Sequence, residues 1–210
     1  MLIGLLPAPT GQAAEGWLAG QPPDGRLDYR ITRAGAEIGQ QSVEFRRDGN
    51  GLVVRTHVEI DVSFLSIPLY RFRHDAVERW TEGRLVALST SSDDDGKHRE
   101  VELVAQNGRL MGRYNDNPVD LPGDLIPASL WHPETVTATV LLDPIRGRER
   151  KVEVADKGLE TVKAGGGEIA ARHYSMTGQI TRELWYDADG RLVRVRFPAK
   201  DGSEITVTLL

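Results

Sequence analysis

Cysteine is absent from the 210-residue chain. Its absence excludes disulfides, thiolate catalysis, cysteine metal ligands and a lipid-modified N-terminal cysteine. Long apolar runs are missing as well, since no run approaches the roughly 18 residues that a membrane-spanning helix needs. The sequence therefore predicts no transmembrane segment.

The chain also lacks an excess of basic residues. It has 26 Lys and Arg and 31 Asp and Glu, which gives a net charge of -5. The arginines alternate with acids, so no patch favours nucleic acid as a partner. Hydrophobic residues make up 40% of the chain, which is ordinary for a globular protein. A chain of this length with no internal repeat predicts one domain with one core.

The N-terminus bears on the compartment. Met1–Pro9 is a short apolar run, and Gly11 and Ala13 then form a small-x-small pattern that suits signal peptidase cleavage before Ala14. The run lacks a basic segment, so it is either a signal peptide whose start lies upstream, which we favour, or an apolar tail. We predict a signal-peptide remnant at 1–13, a linker at 14–24, a β-rich domain at 25–210, and a soluble periplasmic or secreted protein.

Dipeptides typical of turns, each ending in glycine, recur along the chain at the spacing of β-hairpins. Glu82-Gly83, Asp95-Gly96 and Asn107-Gly108 are separated by roughly 8–12 residues, which is typical of a meander. We predict a mostly β fold, a single antiparallel curled sheet or open β-barrel of about a dozen strands with little helix. A flat sheet of that size would expose long edges.

Two segments are less regular. Asn115–Pro127 holds three prolines and predicts a loop. Residues 134–143 suit either a short helix or a strand, and both interpretations stay open.

One predicted strand carries ionisable groups on its apolar face. Alternate residues there are Tyr70, Phe72, His74, Ala76, Glu78 and Trp80. A buried ionisable group costs several kcal/mol unless it is hydrogen-bonded or paired. Positions i and i+4 of a strand lie roughly 13 Å apart, so His74 and Glu78 need partners elsewhere. We expect those partners on the strands that carry Tyr174 and Trp185.

Recognisable catalytic and metal motifs are few. No Gly-x-Ser-x-Gly elbow is present, and the five histidines show no zinc-binding spacing. A metal site assembled across strands from His74, Glu78 and His173 is an alternative to ordinary histidines. Asp93–Gly96 is an acidic solvated turn or a weak calcium site, since its acids are consecutive rather than alternate. We predict no metal and no cofactor.

Several short motifs together resemble the DUF6134 family of exported bacterial proteins of unknown function, which is distantly similar to DUF3108. The motifs are YRFRHDAVERW at Tyr70–Trp80, TSSDDDGK at Thr90–Lys97, SLWHP at Ser129–Pro133, LLDPIRG at Leu141–Gly147, ARHY at Ala171–Tyr174 and LWY at Leu184–Tyr186.

The match has departures. Leu130-Trp131 stands where members of the family usually have Tyr-Trp, and Asp143-Pro144 where they have Asn-Pro. The resemblance implies export and a β-rich, curled-sheet fold similar to periplasmic lipid and lipoprotein carriers. It transfers no catalytic residue, and a fold does not define a function.

These observations favour an exported protein that binds or carries an apolar or amphipathic ligand, such as a lipid, in a curled-sheet cavity. The candidate ligand-binding residues are Tyr70, Phe72, His74, Glu78, Trp80, Tyr174 and Trp185. One alternative is an enzyme with Glu78 or His74 as acid or base, although we lean against catalysis. Another is an envelope interaction protein, whose protein partner the sequence does not identify.

Overall fold

The computed structural model describes residues 16–64, 67–199 and 201–210, which form fifteen strands and two short 3-10 helices. The helices are Gly16–Leu18 and Pro133–Val136. The strands are β1 (Arg26–Arg33), β2 (Ala36–Asp48), β3 (Gly51–Phe64), β4 (Ile67–Thr81), β5 (Arg84–Asp94), β6 (Lys97–Gln106), β7 (Arg109–Tyr114), β8 (Asn117–Pro122), β9 (Ile126–Pro127), β10 (Val140–Asp143), β11 (Arg148–Ala164), β12 (Gly167–Gly178), β13 (Arg182–Tyr186), β14 (Leu192–Pro198) and β15 (Glu204–Leu209).

All the strands join one curled sheet that does not close. Two meanders, β1 to β8 and β15 back to β9, meet where β1 pairs with β15, so β8 and β9 are the two ends. Every neighbouring pair is antiparallel except β9 with β10, which is parallel. The predicted fold class is confirmed. Within the described ranges, the structure has no helix with the length and apolar character needed to cross a bilayer.

Two-residue turns connect most of the neighbouring strands in the first half. Asn107 and Gly108, between β6 and β7, have φ of 52° and 76°. Both values lie in the left-handed region that twisted hairpins require and that Asn and Gly tolerate. The predicted turns at Glu82-Gly83 and Asp95-Gly96 adopt the same geometry.

The predicted loop at Asn115–Pro127 is wrong, because most of it is strand. Pro118 and Pro122 lie in β8, and Pro127 lies in β9. Proline lacks an N–H to donate and is tolerated at a sheet edge. Because β8 and β9 are the two edges of this sheet, the prolines occupy the strands where they cost least.

Residues 134–143 divide into the end of the second 3-10 helix and strand β10, so each open interpretation holds for part of the segment. The predicted signal-peptide remnant at 1–13 lies outside the described residues. In the predicted linker, Trp17 packs against the core and lies beside Gly83.

A non-strand segment lies across the concave face of the sheet. Leu130 and Trp131, between β9 and the second 3-10 helix, are 9% and 3% exposed. Nearby, Thr90 of β5 donates a hydrogen bond to the Pro144 carbonyl at 2.7 Å. We call residues 128–136 the inner segment, and it covers apolar surface that an open curl would leave in water.

The hairpin of β11 and β12 bends over the outer face of the sheet. A bulge at Asp156 and Gly158 redirects it. Its tip docks on β15 through a hydrogen bond from the Gly165 N–H to the Leu209 carbonyl at 2.9 Å. The bend buries a small second cluster made of Val162, Ala164, Ala171, Trp185 and Val193.

Close strand packing at Gly39 generates a stability prediction. A Cβ at Gly39 would lie 2.0 Å from the Glu59 carbonyl oxygen, whereas a Cβ at Gly167 would meet nothing within 4 Å. We expect Gly39→Ala to lower the free energy of unfolding by about 2–4 kcal/mol, because backbone atoms must shift. Gly167→Ala should change it by less than about 0.5 kcal/mol. Urea denaturation measures both, and equal effects would contradict the packing argument.

Candidate functional site

The alternating face of β4 lines a cavity inside the curl. The cavity has a volume of about 350 Å³. On its β4 wall are Tyr70, Phe72, His74, Ala76 and Glu78. Five of the six residues on the predicted face therefore contact one space, as period-2 alternation requires.

The remaining walls are mostly apolar. They are formed by Ile31, Gln41, Thr56, Val58, Ile60, Ala128, Ser129, Leu130, Pro144, Ile145, Arg182, Leu192, Val195, Phe197 and Val207. These residues come from both meanders and from the inner segment. A hollow of about 800 Å³ near Pro22 is larger, and its lining includes the charged residues Asp24, Arg26, Asp28 and Arg191.

Glu78 joins the wall of the cavity to the inner segment. Its Oε2 accepts hydrogen bonds from the indole Nε1 of Trp80 and of Trp131, each at 2.9 Å. Trp80 lies two positions along β4, and Trp131 belongs to the inner segment. The two rings pack edge to face with centroids 5.2 Å apart. One carboxyl oxygen thus satisfies two buried donors that would otherwise be unpaired.

No described residue forms a hydrogen bond to the second oxygen of Glu78, and Glu78 is only 1% exposed. Burial raises the pKa of the Glu78 carboxyl above its ordinary value, and the Trp131 indole, the Ser129 hydroxyl and the Trp80 indole oppose that rise. The Ser129 hydroxyl lies near the carboxyl without forming a hydrogen bond to it, and contacts the Pro127 carbonyl instead. The pKa shift favours the protonated, uncharged form.

His74 is buried beside a hydroxyl on the neighbouring strand. Its Nδ1 lies 2.8 Å from the Ser92 Oγ of β5, directly across the ladder. Burial lowers the pKa of His74 to about 4, despite an opposing effect of Asp75. The imidazole is therefore neutral at pH 7, and its ring stacks on Phe72 with centroids 6.3 Å apart.

His132 of the inner segment completes the aromatic group around Trp80. Its ring stacks on the Trp80 indole at 4.8 Å, and its Nδ1 accepts the Glu134 backbone N–H at 3.2 Å, which caps the second 3-10 helix. Burial lowers the pKa of His132 to about 4. Trp131 and His132 both belong to the motif SLWHP, whose sequence by itself predicts no contact with β4. Local spacing cannot show that they meet β4.

The other three predicted ligand-binding residues do not line the cavity. Trp80 lies behind the wall as a donor to Glu78. Tyr174 packs edge to face on Tyr186, whose hydroxyl donates to the Leu130 carbonyl at 2.8 Å. Trp185 lies in the second cluster, on the opposite face from Leu184.

The expectation about partner strands is wrong. His74 is hydrogen-bonded to Ser92, and Glu78 to Trp80 and Trp131. None of these partners lies on the strands that carry Tyr174 and Trp185. The reason is that the bent hairpin covers Trp185 on the outer face of the sheet. His173 lies there too, stacked on Trp185 at 4.4 Å and within 3.0 Å of Glu160.

The structure therefore does not bring His74, Glu78 and His173 together as one metal site. Among the residues that the structure describes, no group of three His, Asp or Glu is arranged to hold a metal ion. In the acidic turn, Asp93 accepts the Gly96 N–H at 2.7 Å, and Asp94 accepts the Tyr70 hydroxyl at 2.9 Å. These carboxylates support the turn and the β4 wall.

One polar pair beside the cavity resembles a catalytic pair in its separation. The His74–Ser92 pair has the separation of a base and a nucleophile. However, the Ser92 side chain is not part of the cavity lining, and the residue is 2% exposed. A substrate in the cavity would meet the neutral imidazole and the Glu78 carboxyl, but not the hydroxyl.

Comparisons with known proteins identify the family of the chain and a solved structure with a similar fold. A family model described as a domain of unknown function, DUF6134, matches residues 29–210. No curated protein matches the chain. A crystal structure described as a beta-barrel-like protein of domain of unknown function DUF1849 from Brucella abortus is similar, with 14% identity and a TM-score of 0.61. The similarity covers 88% of this chain and 94% of that chain and shows the fold alone. The similarity to DUF3108 stays a prediction.

The two indole donors of Glu78 give the first prediction from this site. We expect Glu78→Ala to lower the free energy of unfolding by about 3–5 kcal/mol, because two buried N–H groups lose their acceptor and a void remains. Glu78→Gln keeps an oxygen acceptor and should cost less than about 2 kcal/mol. The exposed Glu168→Ala is the control. Urea denaturation followed by tryptophan fluorescence measures all three, and a neutral effect of Glu78→Ala would show that the carboxyl does not hold the inner segment.

The buried histidines predict a pH dependence. The pKa of His74 and of His132 is about 4 in the fold and 6.5 ordinarily, so between these values the unfolded chain binds more protons. Stability is full above pH 6.5 and falls toward pH 4, by about 1–2 kcal/mol per histidine between pH 7 and pH 5. Glu78, whose pKa is raised, acts in the opposite direction.

His132→Asn isolates one of these contributions, because asparagine keeps a helix-capping side chain that does not titrate. Denaturation at pH 7 and pH 5 should show a smaller loss for this variant than for the wild type. His98→Asn, at a side chain that is 78% exposed, should leave the loss unchanged. An identical loss in all three proteins would contradict the assignment to His132.

Proposed function

The chain belongs to the DUF6134 family, whose description names no activity, and we propose from the chemistry of the cavity that the protein binds or carries an apolar or amphipathic ligand inside its curled sheet. We also propose that it does so in the periplasm, on the basis of the small-x-small pattern at Gly11 and Ala13. The observation that carries the proposal is the cavity of about 350 Å³ between the two meanders. This volume is within the range of small-molecule sites.

The character of the walls supports a ligand with a hydrocarbon part. Val58 and Ile60 of β3 lie on one side, and Val195 and Val207 of β14 and β15 lie on another. Burying apolar ligand surface against them contributes about 25 cal/mol per Å² before the costs of binding. Tyr70, Phe72, His74 and Glu78 supply the contacts on the β4 wall.

The ionisable side chains of that wall are compatible with an apolar occupant. The lowered pKa of His74 and the raised pKa of Glu78 both favour the uncharged form. An apolar ligand placed against the neutral His74 imidazole would therefore not have to desolvate a full charge there, which would cost several kcal/mol.

The direct test uses the neutral apolar fluorophore N-phenyl-1-naphthylamine, whose emission rises when it leaves water. We expect saturable binding to the wild type. Val58→Phe, which adds bulk opposite His74 in the ladder, should weaken binding by at least about tenfold, since a filled cavity excludes the probe. Val104→Phe is the matched control, because Val104 is 50% exposed. No saturable binding, or equal binding by both variants, would overturn the proposal.

Native mass spectrometry of protein isolated from its own cell envelope addresses the natural occupant. A co-purifying molecule of lipid-like mass supports the carrier function. Protein that carries a polypeptide partner and no small molecule would favour the envelope interaction role instead.

A further inference from the structure

Among the described residues that line the cavity, one is a Lys or Arg, namely Arg182. The ionisable lining groups of the cavity with a pKa shift are Tyr70, His74, Glu78 and Arg182. The pKa of Tyr70 is raised to about 12, so its phenol is neutral, and His74 is neutral as well. Burial lowers the pKa of Arg182 only to about 10, so the guanidinium remains a cation at pH 7.

Arg182 is set in the wall by contacts that leave its charge uncompensated. It lies on the inner face of β13, two positions before the buried Leu184. Its guanidinium carbon sits 3.9 Å from the ring centroid of Phe197, and its Nη1 donates to the Thr181 carbonyl at 2.8 Å. A guanidinium has five N–H donors in a fixed fork, so most of the Arg182 donors have no acceptor among the described residues.

Arg182 differs from most of the other partly buried arginines because, among the described residues, it has no acidic partner. Arg194 shares this lack, but it does not line the cavity. Arg73, Arg99, Arg150 and Arg191 each lie within 4.0 Å of a carboxylate. Over residues 16–64, 67–199 and 201–210, no carboxylate approaches Arg182 that closely. A half-buried cation without a counter-charge costs free energy in the empty protein. An anionic group on a ligand would offset that cost by pairing with the cation.

We propose that the ligand is a single-chain amphiphile with an anionic head group, carboxylate or phosphate, which binds the Arg182 guanidinium while its hydrocarbon chain occupies the cavity. This inference rests on the proposed function and names its ligand class. A volume of about 350 Å³ is near the lower end of small-molecule sites, which favours one chain over two. The fork geometry of arginine matches both head groups through paired hydrogen bonds.

Competition against N-phenyl-1-naphthylamine tests the head group. Decanoate, decyl phosphate and decan-1-ol share one chain length and differ in the head. In the wild type we expect at least one anion to compete at least about tenfold more strongly than the alcohol, the effect of a charge-assisted hydrogen bond. Arg182→Gln should remove this difference. The affinity for the neutral fluorophore is measured for each variant, so that the anion-to-alcohol ratio is compared within one protein. Arg182→Lys should retain part of it, and Arg46→Gln, at an exposed arginine, should retain all of it.

The outcomes separate the two proposals. If the fluorophore and the alcohol bind while neither anion is preferred, or if Arg182→Gln keeps the preference, the assignment of Arg182 is wrong and the cavity remains a binding site. If nothing binds the wild type, the proposed function fails first. Carbon-13 NMR of carboxyl-labelled decanoate needs no variant. A carboxyl beside the guanidinium should titrate at a lower pH than free decanoate, and a rise would overturn the proposal.

Discussion

The contact between the Glu78 carboxyl and two tryptophan indoles is the interaction on which the interior of this protein depends. The sheet is curled and does not close, so its concave face needs further cover from water. The inner segment covers part of that face, and its Trp131 is tied to β4 through Glu78 Oε2 at 2.9 Å. Because the acceptor and both donors are buried, losing any one of them leaves unpaired groups that cost about 1–3 kcal/mol each.

The same contact also positions the cavity. Leu130, next to Trp131, has a φ of 69°, an unfavourable value for a residue with a branched side chain. The Tyr186 hydroxyl holds the Leu130 carbonyl on one side, and the Glu78–Trp131 hydrogen bond anchors the following residue on the other. The inner segment is thereby held as a wall of the cavity, with Arg182 and Phe197 contributed by the second meander. Stability and proposed ligand binding share one set of residues.

Much of the fold and one wall of the site followed from local patterns. Alternation along Tyr70–Trp80 predicted which side chains face inward, and the Gly-containing turns predicted the hairpins. The missed strand β8 shows the limit of this reasoning, because a proline-rich segment is a strand only if it lies at an edge. Arg182 was missed for a related reason. Nothing near it in the sequence shows that no acid reaches it.

Local sequence patterns were enough to predict the β-rich class, the hairpin order and the inward face of β4, because side-chain alternation and turn chemistry act over two to ten residues. The partners of His74 and Glu78, the outward position of Trp185 and the uncompensated charge of Arg182 became visible in the folded chain. Those depend on which distant segments curl into contact. The contact from Glu78 to Trp131 spans 53 residues, and no local pattern encodes a distance of that kind.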